Sequence, residues 1–111
     1  MYTNKYQIRN STNRQYYWVL KSANNETIIT SETYTTKESC KNGIASSKVC
    51  IKDENFSRKT STNGYQYYFD QKANNGQMLG VSEMYNSKQA RDHGIEVVKL
   101  IAPTAIVEDL T

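Results

Sequence analysis

The sequence is poor in the residues that most enzyme and metal sites use. His93 is the only histidine in 111 residues, and Cys40 and Cys50 are the only cysteines. A single imidazole removes the common histidine-based triads, and no HExxH, GxGxxG or P-loop pattern occurs. The two thiols and the imidazole also lack the spacing of zinc ligands. We therefore expect a non-enzyme with no catalytic residues, no metal and no cofactor.

Long apolar runs are missing as well. No stretch approaches the length of a membrane span, and residues 1–6 lack the apolar core of a signal peptide. The two cysteines lie ten residues apart, outside any disulfide framework, so we expect reduced thiols packed as small hydrophobic side chains. A soluble cytoplasmic protein is the resulting expectation.

The charge is small and unevenly placed. The net charge is +3, with 8 Lys/Arg and 4 Asp/Glu in residues 1–53 against 6 and 7 in residues 54–111. A charge of this size does not imply nucleic acid by itself. The asymmetry is compatible with an ordinary solvated surface, with one basic end, or with head-to-tail attraction between copies.

Most of the chain is written twice. Residues 15–48 align with residues 66–99 at a shift of 51, without a gap and with 12 identities in 34 positions. A repeat of this length indicates one supersecondary unit used twice. Because half of this chain is too short to bury an adequate core alone, we expect one domain, 1–111, in which repeat 1 (1–54) and repeat 2 (55–111) share a core.

The sequence of each repeat predicts three strands, a helix and another strand. Period-two alternation and intervening turn residues indicate the strands, and spacing by three and four residues indicates the helices. The predicted strands are Tyr2–Asn10, Tyr16–Lys21, Ile28–Ser31, Asn55–Lys59, Met78–Ser82 and Ala105–Asp109, and the predicted helices are about Thr36–Val49 and Ser87–Leu100. The strand Asn55–Lys59 closes the first unit and opens the second, so we expect one continuous sheet.

The helix starts carry capping signals. Thr35 with Glu38, and Asn86 with Gln89, have the spacing of a capping box. Tyr34 and its copy Tyr85 stand just before these caps, where an apolar side chain packs on the first turn. Gly43 and Gly94 fall in mid-helix, and we attribute them to close approach of helix and sheet.

The second strand of each repeat separates two faces. Trp18 and its copy Phe69 are predicted to face the core, since Asp70 and Lys72 occupy the opposite alternation in the second copy. The other face should then carry Tyr17, Tyr68, Lys21 and Lys72, together with Asp70.

The ordered series of motifs resembles the YegP-like family of small bacterial tandem-repeat proteins over essentially the whole chain. The residues that carry the resemblance are Tyr16–Glu26, Ser31-Glu32, Tyr34, Thr36-Lys37, Gly43-Ile44 and Lys48, with their copies Tyr67–Phe69, Ser82-Glu83, Tyr85, Ser87-Lys88, Gly94-Ile95 and Val98-Lys99. Asn25, where glycine is usual, and Ser47, opposite Val98, are departures that concern stability.

The resemblance implies an α+β fold of two β-β-β-α-β repeats in a single mainly antiparallel sheet. It further implies that the last strand of each repeat is exchanged into the other, with the two helices packed on one face. The family is generally described as of unknown function, so it supplies no catalytic, binding or metal-ligating residues.

Two functions remain open from the residues. A protein-interaction or self-association module, with a protein partner or a homodimer, would use the aromatic open face of the sheet as a contact patch. Single-stranded nucleic acid could instead stack on Tyr17 and Tyr68 and be neutralised by Lys21 and Lys72. The tyrosines could also be simple cross-strand packing pairs.

A third reading is enzymatic. Glu32 and Glu83 recur beside Ser31 and Ser82, and a carboxylate pair across the repeat axis would suit a glycosidase. The simpler interpretation is that each serine satisfies the backbone where a strand ends. We favour the non-enzymatic interaction module, with nucleic-acid binding as the alternative.

Overall fold

The computed structural model describes residues 3–111, and each repeat supplies three strands followed by a helix. In chain order the elements are β1 (Lys5–Asn10), β2 (Tyr16–Lys21), β3 (Thr27–Ser31), α1 (Lys37–Val49), β4 (Phe56–Thr60), β5 (Tyr67–Lys72), β6 (Met78–Ser82), α2 (Lys88–Ile101) and β7 (Ile106–Asp109). Short 3₁₀ turns precede β4 and β7. The predicted start of the first strand at Tyr2 lies outside the described residues, and the other predicted boundaries agree with the structure to within one residue.

The seven strands form one mixed sheet in the order β4-β5-β6-β3-β2-β1-β7. Every neighbouring pair is antiparallel except β1 and β7, which run parallel. The strand after α1 therefore lies in the second half of the sheet, and the strand after α2 crosses to the edge of the first half. This is the α+β architecture, with exchanged C-terminal strands, that the family resemblance implies.

A pseudo-twofold axis passes between β3 and β6. Thr30 pairs there with Val81, which is the same position of the repeat at the shift of 51. The two copies differ at the neighbouring core position, where Ile29 stands in the first and Gly80 in the second. A Cβ on Gly80 would lie 2.6 Å from the Ile29 Cγ2 atom and 2.8 Å from the Thr30 carbonyl oxygen. At this seam between the repeats, the Ile29 side chain thus occupies space that a side chain at position 80 would need.

One hydrophobic core lies between the sheet and both helices. It contains residues of both repeats, centred on Trp18 and Phe69, which are fully buried as predicted. Tyr6 packs edge-on against Trp18, and Phe56 packs edge-on against Phe69, with ring centroids 5.2 and 5.9 Å apart. Aromatic side chains bury large areas, which compensates for the low overall apolar content.

The predicted helix caps are wrong by one residue. Thr36 and Ser87 are the N-caps, and their hydroxyl oxygens accept from the amides of Ser39 and Ala90 at 3.0 Å. Thr36 and Ser87 have extended backbones, which is the conformation an N-cap requires. The boxes expected from Thr35 and Asn86 do not form, because the chain is still outside the helix at those residues.

The mid-helix glycines make room for tyrosine side chains. A Cβ on Gly43 would clash with the hydroxyl oxygen of Tyr34, and a Cβ on Gly94 would lie 2.5 Å from that of Tyr85. The tyrosines therefore pack on the middle of the helices instead of on their first turns. The close approach inferred from the glycines exists, but it is made by these side chains, not by the sheet backbone.

A buried polar network joins the repeats within the core. The Tyr6 hydroxyl lies 2.8 Å from Ser47 Oγ, which also lies 2.7 Å from Gln71 Oε1. The Gln71 amide nitrogen donates to the carbonyl oxygens of Ser47 and Cys50 at 3.0 and 2.9 Å. These carbonyls end α1, where no further helical turn supplies donors. A side chain from the second repeat thus caps the helix of the first.

The tight turns and strand ends behave as the sequence indicates. Asn25 and Gly76 take positive φ values of 69° and 86° in equivalent turns. Ser31 and Ser82 accept from the backbone amides of Trp18 and Phe69 at 2.8 and 2.9 Å, so each serine satisfies backbone groups next to a strand end.

Candidate interaction surfaces

The outer edge of β1 is occupied by β7. The Ile106 amide donates to the Asn4 carbonyl at 3.1 Å, and the Leu110 amide donates to the Ile8 carbonyl at 2.9 Å. Lys5 to Ile8 pair with Ile106 to Asp109 in parallel register. The backbone groups of β1 that face away from β2 are therefore used.

The equivalent edge of β4 carries no strand. A shift of 50 aligns Ile8 with Arg58, and both residues hold the same place: Ile8 pairs with Trp18, and Arg58 with Phe69. Since alternate residues of a strand direct both backbone groups to the same side, those of Arg58 point outward as those of Ile8 do. Among residues 3–111, no strand pairs with this side of β4. We call this side the free edge.

Cations predominate beside the free edge. Arg58 Nε and Arg91 Nε lie 2.9 and 3.1 Å from the same carboxylate oxygen of Asp92, and Arg58 holds the pKa of that carboxyl below its usual range. Arg91 also lies over the Tyr67 ring, 5.7 Å from its centroid. Lys88, the first residue of α2, is exposed and has no ion pair in the part of the chain that the structure describes. Three cations thus stand against one carboxylate.

The face of the sheet opposite the helices is the open face. Strand alternation and cross-strand pairing place Tyr17, Tyr68, Lys21 and Lys72 on it, as predicted, and all four are half-buried. The same pairing adds three further cations, Lys5, Arg9 and Lys59, and the carboxylates Asp70 and Glu108. This surface is therefore basic as well as aromatic.

The centre of the open face is less exposed to solvent than the sequence suggests. Val19 and Asp70 are only 2% and 1% exposed. Lys59 Nζ lies 2.6 Å from the Asp70 carboxylate, whose hydrogen bond raises the pKa of the lysine. The buried carboxylate of Asp70 thereby uses one of the five cations of this face.

A second network crosses the first half of the open face. Arg9 donates to Gln7, and Gln7 donates to Glu108 of β7, at 2.6 and 2.7 Å. The Lys5 ammonium lies 3.9 Å from the same Glu108 oxygen. These contacts help hold the exchanged strand in register.

Two shallow grooves, related by the pseudo-twofold, lie between each helix and the hairpin of the other repeat. Their volumes are about 420 and 430 Å³. His93 borders the first and its copy Asn42 the second. The histidine is exposed, and its carboxylate neighbour in the groove is Glu26, whose copy is Gln77.

The glutamates considered as a catalytic pair lie at opposite ends of one strand ladder. The Glu32 amide pairs with the Leu79 carbonyl and the Glu83 amide with the Ile28 carbonyl, at opposite ends of the β3–β6 ladder. Four residues of strand separate these points, which is about 13 Å. This backbone separation exceeds the distance of about 10 Å within which glycosidase carboxyl groups lie, so the strand geometry gives the dyad no support.

The cysteines are both free and buried. Burial raises the pKa of the Cys40 thiol to about 11, so this thiol is a poor nucleophile at neutral pH. In residues 3–111 there is no group of three or more metal-ligating side chains, and no helix there has both the length and the apolarity needed to cross a bilayer.

A comparison with known protein families finds the same two repeats. The family model described as "Domain of unknown function (DUF1508)" matches residues 11–54 and again residues 62–109. The chain belongs to this family. The two DUF1508 segments follow the two structural repeats and leave out the whole of β1 and β4.

Curated DUF1508-like relatives are small proteins of similar length. The chain is 41% identical to the UPF0339 protein YegP of Escherichia coli K12 over 107 residues, which is 96% of each chain. It is 46% identical, with the same coverage, to a UPF0339 protein of Acinetobacter baylyi.

Solved structures show the same fold. The solution NMR structure of YegP from E. coli, titled a protein of unknown function, matches with a TM-score of 0.91 at 39% identity, over 100% of this chain and 96% of that one. A UPF0339 protein of Shewanella oneidensis matches with a TM-score of 0.89, also at 39% identity, over 98% and 92%. The family and fold are therefore established, and the function of the family is uncharacterised.

Sequence reasoning missed the free edge and its residues, Arg58, Lys88 and Asp92. A signal for it was present. The segment Asn55–Thr60 aligns with β1 at a shift of 50, and with β7 at a shift of 51. The first half of the sheet has two strands, β1 and β7, and the second half has only β4, which is equivalent to both of them. A symmetric sheet would need a further strand beside β4, so the repeat predicts one edge without a partner strand.

Proposed function

We propose that this protein is a non-enzymatic protein-interaction module that adds an extended segment of a partner protein to the free edge of β4. The observation that carries the proposal is the asymmetry of the sheet: β1 is paired on its outer side by β7, and the equivalent strand β4 is not. An exposed strand edge is a template for strand addition, in which backbone hydrogen bonds supply affinity. The two buried thiols fit a reducing compartment such as the cytoplasm.

The free edge also carries features that restrain indiscriminate pairing. β4 is five residues long and bears Arg58 and Lys59, and charged side chains on a short strand are a common protection against edge-to-edge aggregation. These features favour a short, selected segment over unlimited pairing between copies. Self-association by the same edge is the competing outcome.

The test uses a peptide with the sequence of residues 104–111, which contains the β7 strand, and isotope-labelled intact protein. Because β7 already covers β1, we expect saturable amide shifts centred on Phe56–Thr60, with small shifts on Lys5–Asn10. Arg58→Pro should abolish them, since proline removes the outward amide and is tolerated where that amide faces solvent. Arg58→Ala, which keeps the amide, is the matched control and should retain binding.

Absence of shifts on β4 with the wild-type protein would contradict strand addition. Equal binding by Arg58→Pro and Arg58→Ala would also contradict it, because the outward amide would then be irrelevant. Analytical ultracentrifugation of the unlabelled protein distinguishes self-association, which would appear as a concentration-dependent mass without any peptide.

Single-stranded nucleic acid remains a second candidate because the open face is more basic than the sequence indicated. The open face carries five cations and two carboxylates together with Tyr17 and Tyr68. A short mixed oligonucleotide should then shift the amides around Tyr17, Lys21, Tyr68 and Lys72, and the affinity should fall steeply as salt is added. A flat titration at low salt would exclude this function without affecting the proposal for β4.

A further inference from the structure

We propose that the segment received by β4 carries an acidic residue, and that Lys88 and Arg91 bind its carboxylate as Lys37 binds Asp109 in the first repeat. This inference rests on the proposed function, since it names the chemistry of the partner at the same free edge. It is carried by the pseudo-twofold, which places a template of the complex inside the chain: β7 on β1 shows how a segment would sit on β4.

The template contains a defined acidic contact. Lys37 is the first residue of α1, and its Nζ lies 3.1 Å from Asp109 Oδ2 at the end of β7. The Thr111 hydroxyl and amide donate to the other carboxylate oxygen, and with Lys37 they hold the pKa of Asp109 well below its usual range. The helix start and the exchanged strand are thus linked by one carboxylate.

The second repeat retains the cation and lacks the carboxylate. Lys88 opens α2 directly after the cap Ser87, as Lys37 opens α1 directly after the cap Thr36. No acidic group among residues 3–111 pairs with Lys88. A residue on β4 placed as Asp109 is placed on β1 would therefore meet an unpaired ammonium.

A second cation, Arg91, corresponds to a residue of the first repeat that lies close to Asp109. The first repeat has Cys40 one turn into α1, close enough to Asp109 for that carboxylate to contribute to the raised pKa of the thiol. The corresponding residue of α2 is Arg91. Arg91 is shared with Asp92, but its guanidinium has donors left for a second carboxylate. Arg91 is thus a cation that the first repeat lacks at this position, while Asp92 stands where α1 has Lys41.

The same comparison predicts that only one acidic position matters. Glu108 of β7 contacts Gln7 and Lys5 on the open face. Their counterparts on β4, at the shift of 50, are Ser57 and Asn55, which carry no charge. The partner should thus need an acidic residue at the position of Asp109 and be indifferent to one at the position of Glu108.

The experiment compares three peptides spanning residues 104–111: the natural sequence, Asp109→Asn and Glu108→Gln. Affinities for intact labelled protein are read from the β4 amide shifts. We expect Asp109→Asn to bind about two- to fivefold more weakly, which is the range for an exposed ion pair, and Glu108→Gln to bind unchanged. In the protein variant Lys88→Gln, the difference between the natural and Asp109→Asn peptides should shrink toward the residual effect of Arg91 and of Arg58, the copy of the Ile8 residue that pairs with Asp109. Lys21→Gln on β2, remote from β4 in the sheet order, is the matched charge control and should leave the difference intact.

The results that would contradict the acidic preference, the role of Lys88 and strand addition differ from one another. Equal affinity of the natural and Asp109→Asn peptides, with β4 amides still shifting, would overturn the acidic preference and leave strand addition standing. An unchanged preference in Lys88→Gln would overturn the role of Lys88. No β4 shift with any peptide would overturn the proposed function itself.

Discussion

Replacing Gln71 with leucine is expected to lower the free energy of unfolding by about 3 kcal/mol, because several buried groups lose their partners at once. The Ser47 and Cys50 carbonyls at the end of α1 both accept from the Gln71 amide, and Ser47 Oγ lies 2.7 Å from its oxygen. The substitution keeps the volume of the side chain, so packing changes little. Chemical denaturation followed by circular dichroism measures the effect.

The positions related by the pseudo-twofold supply the compensating design. The positions equivalent to Tyr6, Ser47 and Gln71 hold only apolar side chains, namely Phe56, Val98 and Leu20. We expect the triple variant Tyr6→Phe, Ser47→Val, Gln71→Leu to be more stable than Gln71→Leu alone, since no side-chain polar group is then left unpaired. It should stay about 1 kcal/mol below the wild type, because the carbonyls of α1 remain without the Gln71 donor. Strictly additive effects of the three substitutions would contradict the network.

Gly80→Ala is expected to destabilise the protein by about 2–3 kcal/mol, the upper part of the usual range for overpacking a filled core. The added Cβ would meet the Thr30 carbonyl oxygen at 2.8 Å and the Ser31 Cα at 3.1 Å. Both are backbone atoms of β3, so relief requires moving one repeat relative to the other. Thermal unfolding by calorimetry measures the loss.

Gly94→Ala provides the matched control. Its Cβ would meet the Tyr85 hydroxyl at 2.5 Å, but this is the end of a half-buried side chain that can shift outward. Alanine also favours a helix over glycine by about 1 kcal/mol. The cost of Gly94→Ala should therefore be clearly smaller than that of Gly80→Ala. If the two costs are equal, the seam between β3 and β6 is not the rigid contact described above.

The elements of the fold follow from local patterns in the sequence. Alternation around Trp18 and Phe69 identifies the core face, and Asn25 and Gly76 mark the turns that need positive φ. These features depend on residues close together in the chain. The helix caps were misplaced by one residue because Thr35 and Thr36 are both competent caps, and only the backbone conformation selects between them.

What the sequence did not reveal depends on contacts between distant segments. Alternation places Gln71 on the core face with Phe69, but only the exchanged geometry shows that its amide binds the end of α1. Asp70 was expected on a wet face, but it is buried beside Lys59 of the neighbouring strand. The free edge of β4 appears only once the strand order is known, because it is a consequence of where β7 goes.

The most direct test of the free edge is the hydrogen exchange of two amides in the dilute wild-type protein, each corrected for its intrinsic rate. The Ile8 carbonyl accepts from Leu110 of β7, so the Ile8 amide also faces that strand and should be protected. The equivalent Arg58 amide should exchange much faster and become protected when the peptide of residues 104–111 is added. An Arg58 amide already as slow as that of Ile8 in the free protein would contradict the account.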